Sequence, residues 1–86
     1  MARVTVYSTG TCPICDQTKT LLGKWRIPYD EIRLDLEPGE HRRFAQLTNG
    51  ARMVPQILID GAWIGGFSEL TEMHMEDQLD DLMESN

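Results

Sequence analysis

Cys12 and Cys15, separated by two residues, are the side chains in this sequence whose type and spacing best suit covalent chemistry. They follow a stretch with strand character, residues 4–8, and a short turn, residues 9–11, and they open a segment with helical periodicity. A thiol at the start of a helix faces unpartnered backbone N–H groups and the positive end of the helix dipole, which favour the thiolate. The spacing lets one sulfur attack a foreign disulfide while the other resolves the mixed intermediate. The pattern predicts a redox site.

A Cys-x-x-Cys pair is also compatible with two roles that involve no redox chemistry. Structural zinc needs four protein ligands, and besides the cysteines this chain offers only His41 and His74, whose spacings match no finger or ribbon. An inert pair is the second possibility, because free cysteines are often core residues. The strand-turn-helix context, with Pro13 suited to the first helical position, favours catalysis over both.

Hydrophobic periodicity predicts the elements that must position this pair. A strand over residues 3–8 precedes a helix whose apolar face holds Ile14, Thr18, Leu21, Leu22 and Trp25, and residues 26–28 end that helix. Strand alternation follows over residues 31–36, where polar Glu31, Arg33 and Asp35 alternate with apolar Ile32, Leu34 and Leu36. The first half of the chain therefore predicts a βαβ unit with two parallel strands.

The second half predicts a helix, a hairpin and a final helix. Phe44 and Leu47 lie in the helix, and Asn49-Gly50 ends it as a left-handed cap. Residues 56–59 and 62–65 flank Asp60-Gly61, a strong signal for a two-residue hairpin turn. The last helix should contact the core through Leu70, Met73, Leu79, Leu82 and Met83. We therefore predict one α/β domain over residues 1–86 in the order β-α-β-α-β-β-α, a four-stranded mixed sheet flanked by helices.

Composition narrows the class of protein. Eighty-six residues allow one small core, and two cysteines three positions apart cannot connect distant parts of a secreted scaffold. A net charge of −6 argues against general nucleic-acid binding, and neither a signal peptide nor a membrane-spanning stretch is recognisable. We expect a soluble, cytoplasmic monomer.

Charge is distributed unevenly along the chain. All eight Lys and Arg residues lie between Arg3 and Arg52, whereas the segment from Met53 onward carries eight acids and no base. A solvated acidic face explains this pattern, and selection of basic partner proteins is the alternative.

The chain resembles glutaredoxins over nearly its whole length. The resemblance rests on Tyr7, Cys12-Pro13-Ile14-Cys15, Lys19, Val54-Pro55, Asp60-Gly61 and Gly65-Gly66 in this order and spacing. It implies a thioredoxin-like fold and a single glutaredoxin domain. It also implies a cis Val54–Pro55 bond beside the cysteines, which would leave the backbone N–H and C=O of Val54 free to pair with an extended substrate. A proline that merely starts an edge strand is the alternative.

The resemblance further implies a glutathione site. The γ-glutamyl end would lie at Gly65-Gly66-Phe67-Ser68, although Ser68 is equally plausible as an ordinary helix cap. The residues expected to bind glutathione are Thr11, Pro13, Ile14, Arg42, Arg52, Met53, Val54, Pro55, Gly66, Phe67 and Ser68.

Several residues depart from the glutaredoxin pattern. Ile14 stands where the family usually has Tyr, and Thr9 stands where a basic residue is frequent. Met53 stands in place of the usual Thr, and Phe67 stands in place of a Cys or a small residue. The glycine carboxylate of glutathione then needs another cation, for which Arg42 and Arg52 are candidates unless both are ordinary surface charges. With Phe67 after Gly65-Gly66, the sequence at this position resembles the related redoxins that take electrons from thioredoxin reductase.

The implied activity is glutathione-dependent thiol–disulfide exchange. Cys12 would attack protein disulfides or glutathionylated proteins, Cys15 would resolve the protein-bound intermediate, and Lys19 would add a positive field at a distance. Two glutathiones would reduce the oxidised enzyme, so glutathione is a co-substrate and neither a metal nor a tightly bound cofactor is expected.

Three alternatives remain open. The first is a redoxin reduced by thioredoxin reductase, serving for example ribonucleotide reductase. The second is a carrier in which each Cys12 of two chains and two glutathiones hold a [2Fe–2S] cluster. Proline after the first cysteine and the presence of Cys15 count against this carrier in the resemblance. The third is a binding module without redox activity.

Overall fold

The computed structural model describes residues 2–83, which form a mixed sheet covered by helices on both faces. In chain order the elements are β1 Val4–Ser8, α1 Pro13–Lys24, β2 Tyr29–Arg33, α2 His41–Leu47, β3 Gln56–Ile59, β4 Ala62–Gly65 and α3 Phe67–Met75. Short 3-10 turns occupy Pro38–Glu40 and Asp80–Leu82. The order and the mixed four-stranded sheet match the prediction from sequence. No helix among residues 2–83 is both long and apolar enough to cross a membrane.

The sheet has the strand order β2-β1-β3-β4. Strands β1 and β2 are parallel because α1 carries the chain back along the sheet between them, whereas β1 with β3 and β3 with β4 are antiparallel. Asp60 and Gly61 connect the hairpin with φ angles of 53° and 84°, the positive values that a two-residue turn of this kind requires. The turn that follows β1 and the loop that precedes β3 therefore adjoin the central pair of strands.

The two faces of the sheet bury separate hydrophobic clusters. Val4 and Val6 of β1 point to the face covered by α1 and α3, whereas Tyr7 points to the face covered by α2. Around Tyr7 the second cluster contains Leu34, Phe44 and Leu58. The first cluster also contains Leu22, Ile27, Ile57, Leu70 and Leu79, with Met73, Leu82 and Met83 packed against it. The apolar residues expected to anchor the last helix therefore do contact the core.

The sequence predicted the end of α2 correctly but not the end of α3. Helix α2 ends with Asn49 and Gly50 at positive φ, and the Gly50 N–H donates to the Ala45 carbonyl at 2.8 Å, as the predicted left-handed cap requires. Helix α3 ends at Met75, before Leu79, Leu82 and Met83, which the sequence predicted to lie in this helix. Asp77 adopts a φ of 60° just beyond the helix end. Leu79 and Leu82 therefore reach the core from a turn and a 3-10 segment, because packing and not helical periodicity places them.

The second strand is shorter than the alternation over residues 31–36 suggests. Strand β2 ends at Arg33, and the N–H groups of Leu36 and Glu37 both donate to the Arg33 carbonyl in a turn. Leu34 is buried, but the side chain of Leu36 is 67% exposed. The expectation of a strand up to Leu36 was wrong, because β1 ends at Ser8 and offers no partner beyond the Ser8–Arg33 pair.

Candidate active site

Cys12 occupies the N-cap position of α1, and Pro13 is the first residue inside the helix. The backbone of Cys12 is extended, and its sulfur accepts a hydrogen bond of 3.0 Å from the Cys15 N–H. Proline suits the first helical position because its missing N–H would have no partner there. Sulfur thus takes the capping role that a Ser or Asp oxygen usually fills, and it lies at the positive end of the helix.

The two cysteines form a disulfide and differ in access to solvent. Cys12 is partly exposed, whereas Cys15 is fully buried on the side of α1 that faces the sheet, together with Thr18 and Leu22. Thr11 and Pro13 are exposed beside the disulfide, and the Ile14 side chain is 43% exposed. A large attacking or attacked partner can therefore reach only the Cys12 sulfur.

The loop before β3 lies directly against this sulfur. The Val54–Pro55 bond is cis, as the resemblance implied, and the Val54 carbonyl oxygen is 3.6 Å from Cys12 Sγ. Pro55 is buried, whereas Met53 is 75% exposed beside it. The loop thus presents the backbone of residues 53–54 next to the redox centre.

Two side-chain hydrogen bonds in series, which the sequence did not suggest, support this loop. Gln56 Nε2 donates to the Met53 carbonyl at 3.1 Å, and Trp63 Nε1 donates to Gln56 Oε1 at 2.8 Å. Gln56 and Trp63 come from the two strands of the hairpin, so the pairing of β3 with β4 sets the distance between them. The strand alternation alone could not reveal the contact.

The start of α3 approaches the same loop through Gly65 and Gly66. Gly66 is the N-cap residue, and a Cβ atom there would lie 3.1 Å from the Pro55 carbonyl oxygen, which explains the need for a small residue. The Gly66 N–H donates to the Glu69 carboxylate at 2.7 Å. Phe67 and Ser68 are the first two helical residues, whose N–H groups have no partner within a helix. Ser68 is therefore not the helix cap, and that alternative role is wrong.

A cavity of about 540 Å³ lies next to the turn after β1 and the loop before β3. Its wall includes Thr9, Asp35, Arg52 and Val54, and its floor is mainly apolar. Arg52 therefore faces the space next to the cis-proline loop. Arg42 is exposed on α2 and does not line this cavity, so of the two candidate cations only Arg52 belongs to it.

Lys19 is engaged by carboxylates. Its Nζ lies 2.9 Å from Glu31 and 3.5 Å from Asp16, and these contacts raise its pKa. Glu31 also accepts a 2.6 Å hydrogen bond from the buried Ser8 hydroxyl, which is the main cause of its lowered pKa, with Lys19 adding to the effect. The positive charge of Lys19 is thus balanced close to its own position, so it adds less field at Cys12 than the sequence suggested.

Arg33 and Asp35 lie against the turn that leads from β1 to Cys12. Their side chains form a bidentate ion pair at 2.8 and 2.7 Å, and Asp35 also accepts the Gly10 N–H at 3.1 Å. The hydrogen bond from Arg33 is the main reason that the pKa of Asp35 falls to about 2. The sequence indicated neither the ion pair nor the contact with Gly10, because the turn after β2 brings the Arg33 and Asp35 side chains together.

Comparison with known proteins decides the family. The glutaredoxin family model matches residues 4–64, which include the strand-turn-helix, the cis-proline loop and most of the hairpin. The chain belongs to the glutaredoxin family. Glutaredoxins are in general thiol oxidoreductases, and the exposed Cys12 with the buried Cys15 provides the dithiol for that chemistry.

Relatives and solved structures agree with this assignment. A glutaredoxin from Neisseria meningitidis is 39% identical over 84 residues, covering 96% of this chain and 98% of the relative. Glutaredoxin 1 from Rickettsia prowazekii is 35% identical over 82 residues, covering 94% of this chain and 86% of the relative. The buckwheat glutaredoxin–glutathione complex superposes with a TM-score of 0.82 at 28% identity, covering 95% of this chain and 76% of that one. A dithiolic glutaredoxin from Trypanosoma brucei brucei gives 0.80 at 30% identity, covering 96% and 88%.

The described residues of this glutaredoxin hold no group of three or more His, Cys, Asp or Glu side chains arranged for a metal ion. The reactive groups that the fold brings together at the site are the two cysteine sulfurs.

Proposed function

We propose that this glutaredoxin is a glutathione-dependent thiol–disulfide oxidoreductase that reduces protein disulfides and glutathionylated proteins. The observation that carries the proposal is the position of Cys12, whose sulfur caps α1, is partly exposed, and lies 3.6 Å from the Val54 carbonyl. A sulfur in that place can be reached by a substrate whose backbone pairs with the loop before β3.

The first step is attack by Cys12 on the substrate. In the reduced enzyme the Cys15 N–H and the start of α1 stabilise the Cys12 thiolate. This thiolate attacks one sulfur of the substrate disulfide, a new S–S bond forms with Cys12, and the other substrate sulfur leaves as a thiolate that takes a proton from water. The substrate is then half reduced and covalently attached to Cys12.

The second step differs between the two substrate classes. With a protein disulfide, Cys15 loses its proton and attacks Cys12 Sγ, so that the Cys12–Cys15 bond forms and the second substrate thiolate is released. With a glutathionylated protein, Cys12 attacks the glutathione sulfur and frees the protein thiol. A second glutathione then attacks that glutathione sulfur, giving glutathione disulfide and free Cys12.

Glutathione also regenerates the enzyme from the disulfide form. One glutathione thiolate attacks Cys12 and releases Cys15, and a second glutathione takes the bound one away as glutathione disulfide. Three parts of the structure support the binding of this tripeptide: the free N–H groups of Phe67 and Ser68 for the γ-glutamyl carboxylate, the Val54 backbone, and Arg52 for the glycine carboxylate. The complex of the buckwheat relative with glutathione supports the same assignment.

The test is an assay of the electron donor. Oxidised protein and a disulfide substrate are incubated with NADPH and either glutathione plus glutathione reductase or thioredoxin reductase, and NADPH consumption is followed. We expect turnover with the glutathione system and none when Cys12→Ser replaces the wild type. Turnover with thioredoxin reductase alone would contradict glutathione dependence.

One observation favours a second candidate function, that of a redoxin reduced by thioredoxin reductase. The cavity expected to receive the glycine end of glutathione contains the Asp35 carboxylate as well as Arg52. A negative group in this place weakens the attraction for an anionic ligand, so the two donors should be compared at equal enzyme concentration.

A further inference from the structure

The Arg33–Asp35 pair lies on the backbone of the turn that leads to the nucleophile. Gly10 has no Cβ, and one added there would collide with the Arg33 guanidinium and lie 2.9 Å from Asp35 Oδ2. Gly10 and Cys12 are two residues apart, so their Cα atoms are separated by at most about 7 Å. The ion pair therefore lies close to the redox centre, although neither partner is part of the Cys-x-x-Cys motif.

The two members of the pair differ in where they face. Asp35 lines the cavity beside the disulfide, together with Thr9, Arg52 and Val54, whereas Arg33 does not line it. With the pKa of Asp35 at about 2, its carboxylate is ionised at every physiological pH. The cavity wall therefore has a negative charge, Asp35, that Arg33 balances from outside, and a positive charge, Arg52, that forms no ion pair within residues 2–83.

We propose that Asp35 is a specificity-determining residue, whose carboxylate weakens the binding of glutathione relative to protein disulfides, and that Arg33 limits the size of this effect by pairing with it. This inference rests on the proposed function. Glutathione carries a carboxylate at each end, and its glycine end would enter the cavity that Asp35 lines. A disulfide within a protein chain is flanked by uncharged peptide groups, so the same carboxylate does not repel it.

The two side chains should have opposite effects when they are changed. Asp35→Asn removes the negative charge, retains an oxygen that can accept the Gly10 N–H, and leaves Arg33 unpaired near the cavity. Arg33→Gln leaves the Asp35 charge unbalanced. A merely structural role for the pair predicts losses of the same sign from both changes, because either change weakens the hold on the turn.

The experiment measures the second-order rate constant for reduction of the Cys12–Cys15 disulfide by two probes. These are glutathione and its glycyl ethyl ester, in which an uncharged ethyl ester replaces the carboxylate of the glycine end. We expect Asp35→Asn to raise the rate constant with glutathione roughly threefold, the size of a single-charge effect across about 8 Å of mostly aqueous medium, and to change that with the ester much less. Arg33→Gln should lower the rate constant with glutathione, and the double variant should lie near the wild type.

The matched control is Glu37→Gln, which removes one exposed negative charge two residues further along the chain and outside the cavity lining. It should leave unchanged the ratio of the rate constant with glutathione to the rate constant with the ester. The inference is overturned if Asp35→Asn leaves that ratio at the wild-type value, or if both single variants lower it. Should Arg33→Gln fail to fold, the ratio in Asp35→Asn decides alone.

Failure of the proposed function gives a different result. Wild-type disulfide that dithiothreitol reduces but glutathione does not would contradict glutathione dependence. In that case Asp35→Asn still decides the inference, since a gain of reduction by glutathione supports a repulsive carboxylate and no gain overturns it.

Discussion

At the scale of single residues, one sulfur atom performs two tasks. Cys12 Sγ caps α1 by accepting the Cys15 N–H, and it is the atom that a substrate can reach. Cys15, one turn of helix away, has no exposed surface. This difference in burial supports the proposal that Cys12 attacks the substrate and Cys15 resolves the intermediate.

Substitution of each cysteine tests this division of roles. Cys12→Ser should abolish all reduction, and because serine is a good N-cap residue the helix should remain intact. Cys15→Ser should retain deglutathionylation and lose reduction of protein disulfides, since only the latter needs a second enzyme thiol. Release of glutathione from a glutathionylated protein and reduction of a protein disulfide are measured in parallel. Reduction of protein disulfides by both variants would refute the assignment.

At the scale of elements, three chain segments lie together near the disulfide: the start of α1 contacts the loop before β3, and that loop lies against the start of α3. Gly65 makes the last of these possible. It adopts a φ of 117°, and the Glu69 side chain passes so close that a Cβ atom on Gly65 would lie 2.7 Å from Glu69 Cγ. Glu69 occupies this place because it caps the Gly66 N–H. Backbone conformation and capping thus depend on the same residue having no side chain.

Gly65→Ala should lower the free energy of unfolding by about 1–3 kcal/mol, the usual cost of forcing an L residue into such backbone geometry. Gly23 is the matched control, since it lies within α1 with nothing within 4 Å of an added Cβ. Gly23→Ala should leave stability unchanged or raise it by up to about 1 kcal/mol, because alanine favours the helix. Urea unfolding of the three proteins measures both effects. Equal stability of the two variants would show that Gly65 is not constrained as described.

At the scale of the whole molecule, ion pairs that each contain one carboxylate connect strands with turns and helices. Arg3 pairs with Asp60 at 2.8 Å, Lys19 with Glu31 and Arg33 with Asp35. Each pair joins side chains of opposite sign on a protein whose net charge is −6. The hydrogen bonds from Arg33 and Arg3 lower the pKa of Asp35 and Asp60 in the folded state, and the pKa of Glu31 is lowered mainly by the hydrogen bond from Ser8, with Lys19 adding to the effect.

The protein should lose stability on acidification. A carboxyl group whose folded pKa is depressed stabilises the fold above its unfolded pKa, which is about 4, and this contribution disappears as pH falls through the folded value. For Asp35 the loss should extend from about pH 4 down to its folded pKa of about 2. The free energy of unfolding, measured by urea titration at several pH values, should fall across this window. The fall should be shallower in Asp35→Asn, and an identical slope in both proteins would contradict the role given to Asp35.

Local sequence patterns predicted the parts of this fold that depend on short stretches of backbone. Asp60-Gly61 supplied the positive φ angles of the hairpin turn, and Pro13 began the helix that Cys12 caps. The position of the Val54–Pro55 loop next to the sulfur came from resemblance to glutaredoxins, since no local pattern contains the contact between Cys12 and Val54, which are 42 positions apart. The overlong second strand shows the limit of periodicity, because Leu36 alternates correctly but has no strand beside it.

The amino-acid sequence by itself determined the dithiol, the order of the elements and the turn chemistry, because these follow from neighbouring residues and their backbone preferences. Only the tertiary structure decided which charges meet: Lys19 with Glu31, and Arg33 with Asp35 over Gly10. It also placed Asp35 in the wall of the cavity beside Arg52. Such contacts depend on the parallel pairing of Ser8 with Arg33 and on how loops pack, and side chains far apart in the chain come together only when the sheet has formed.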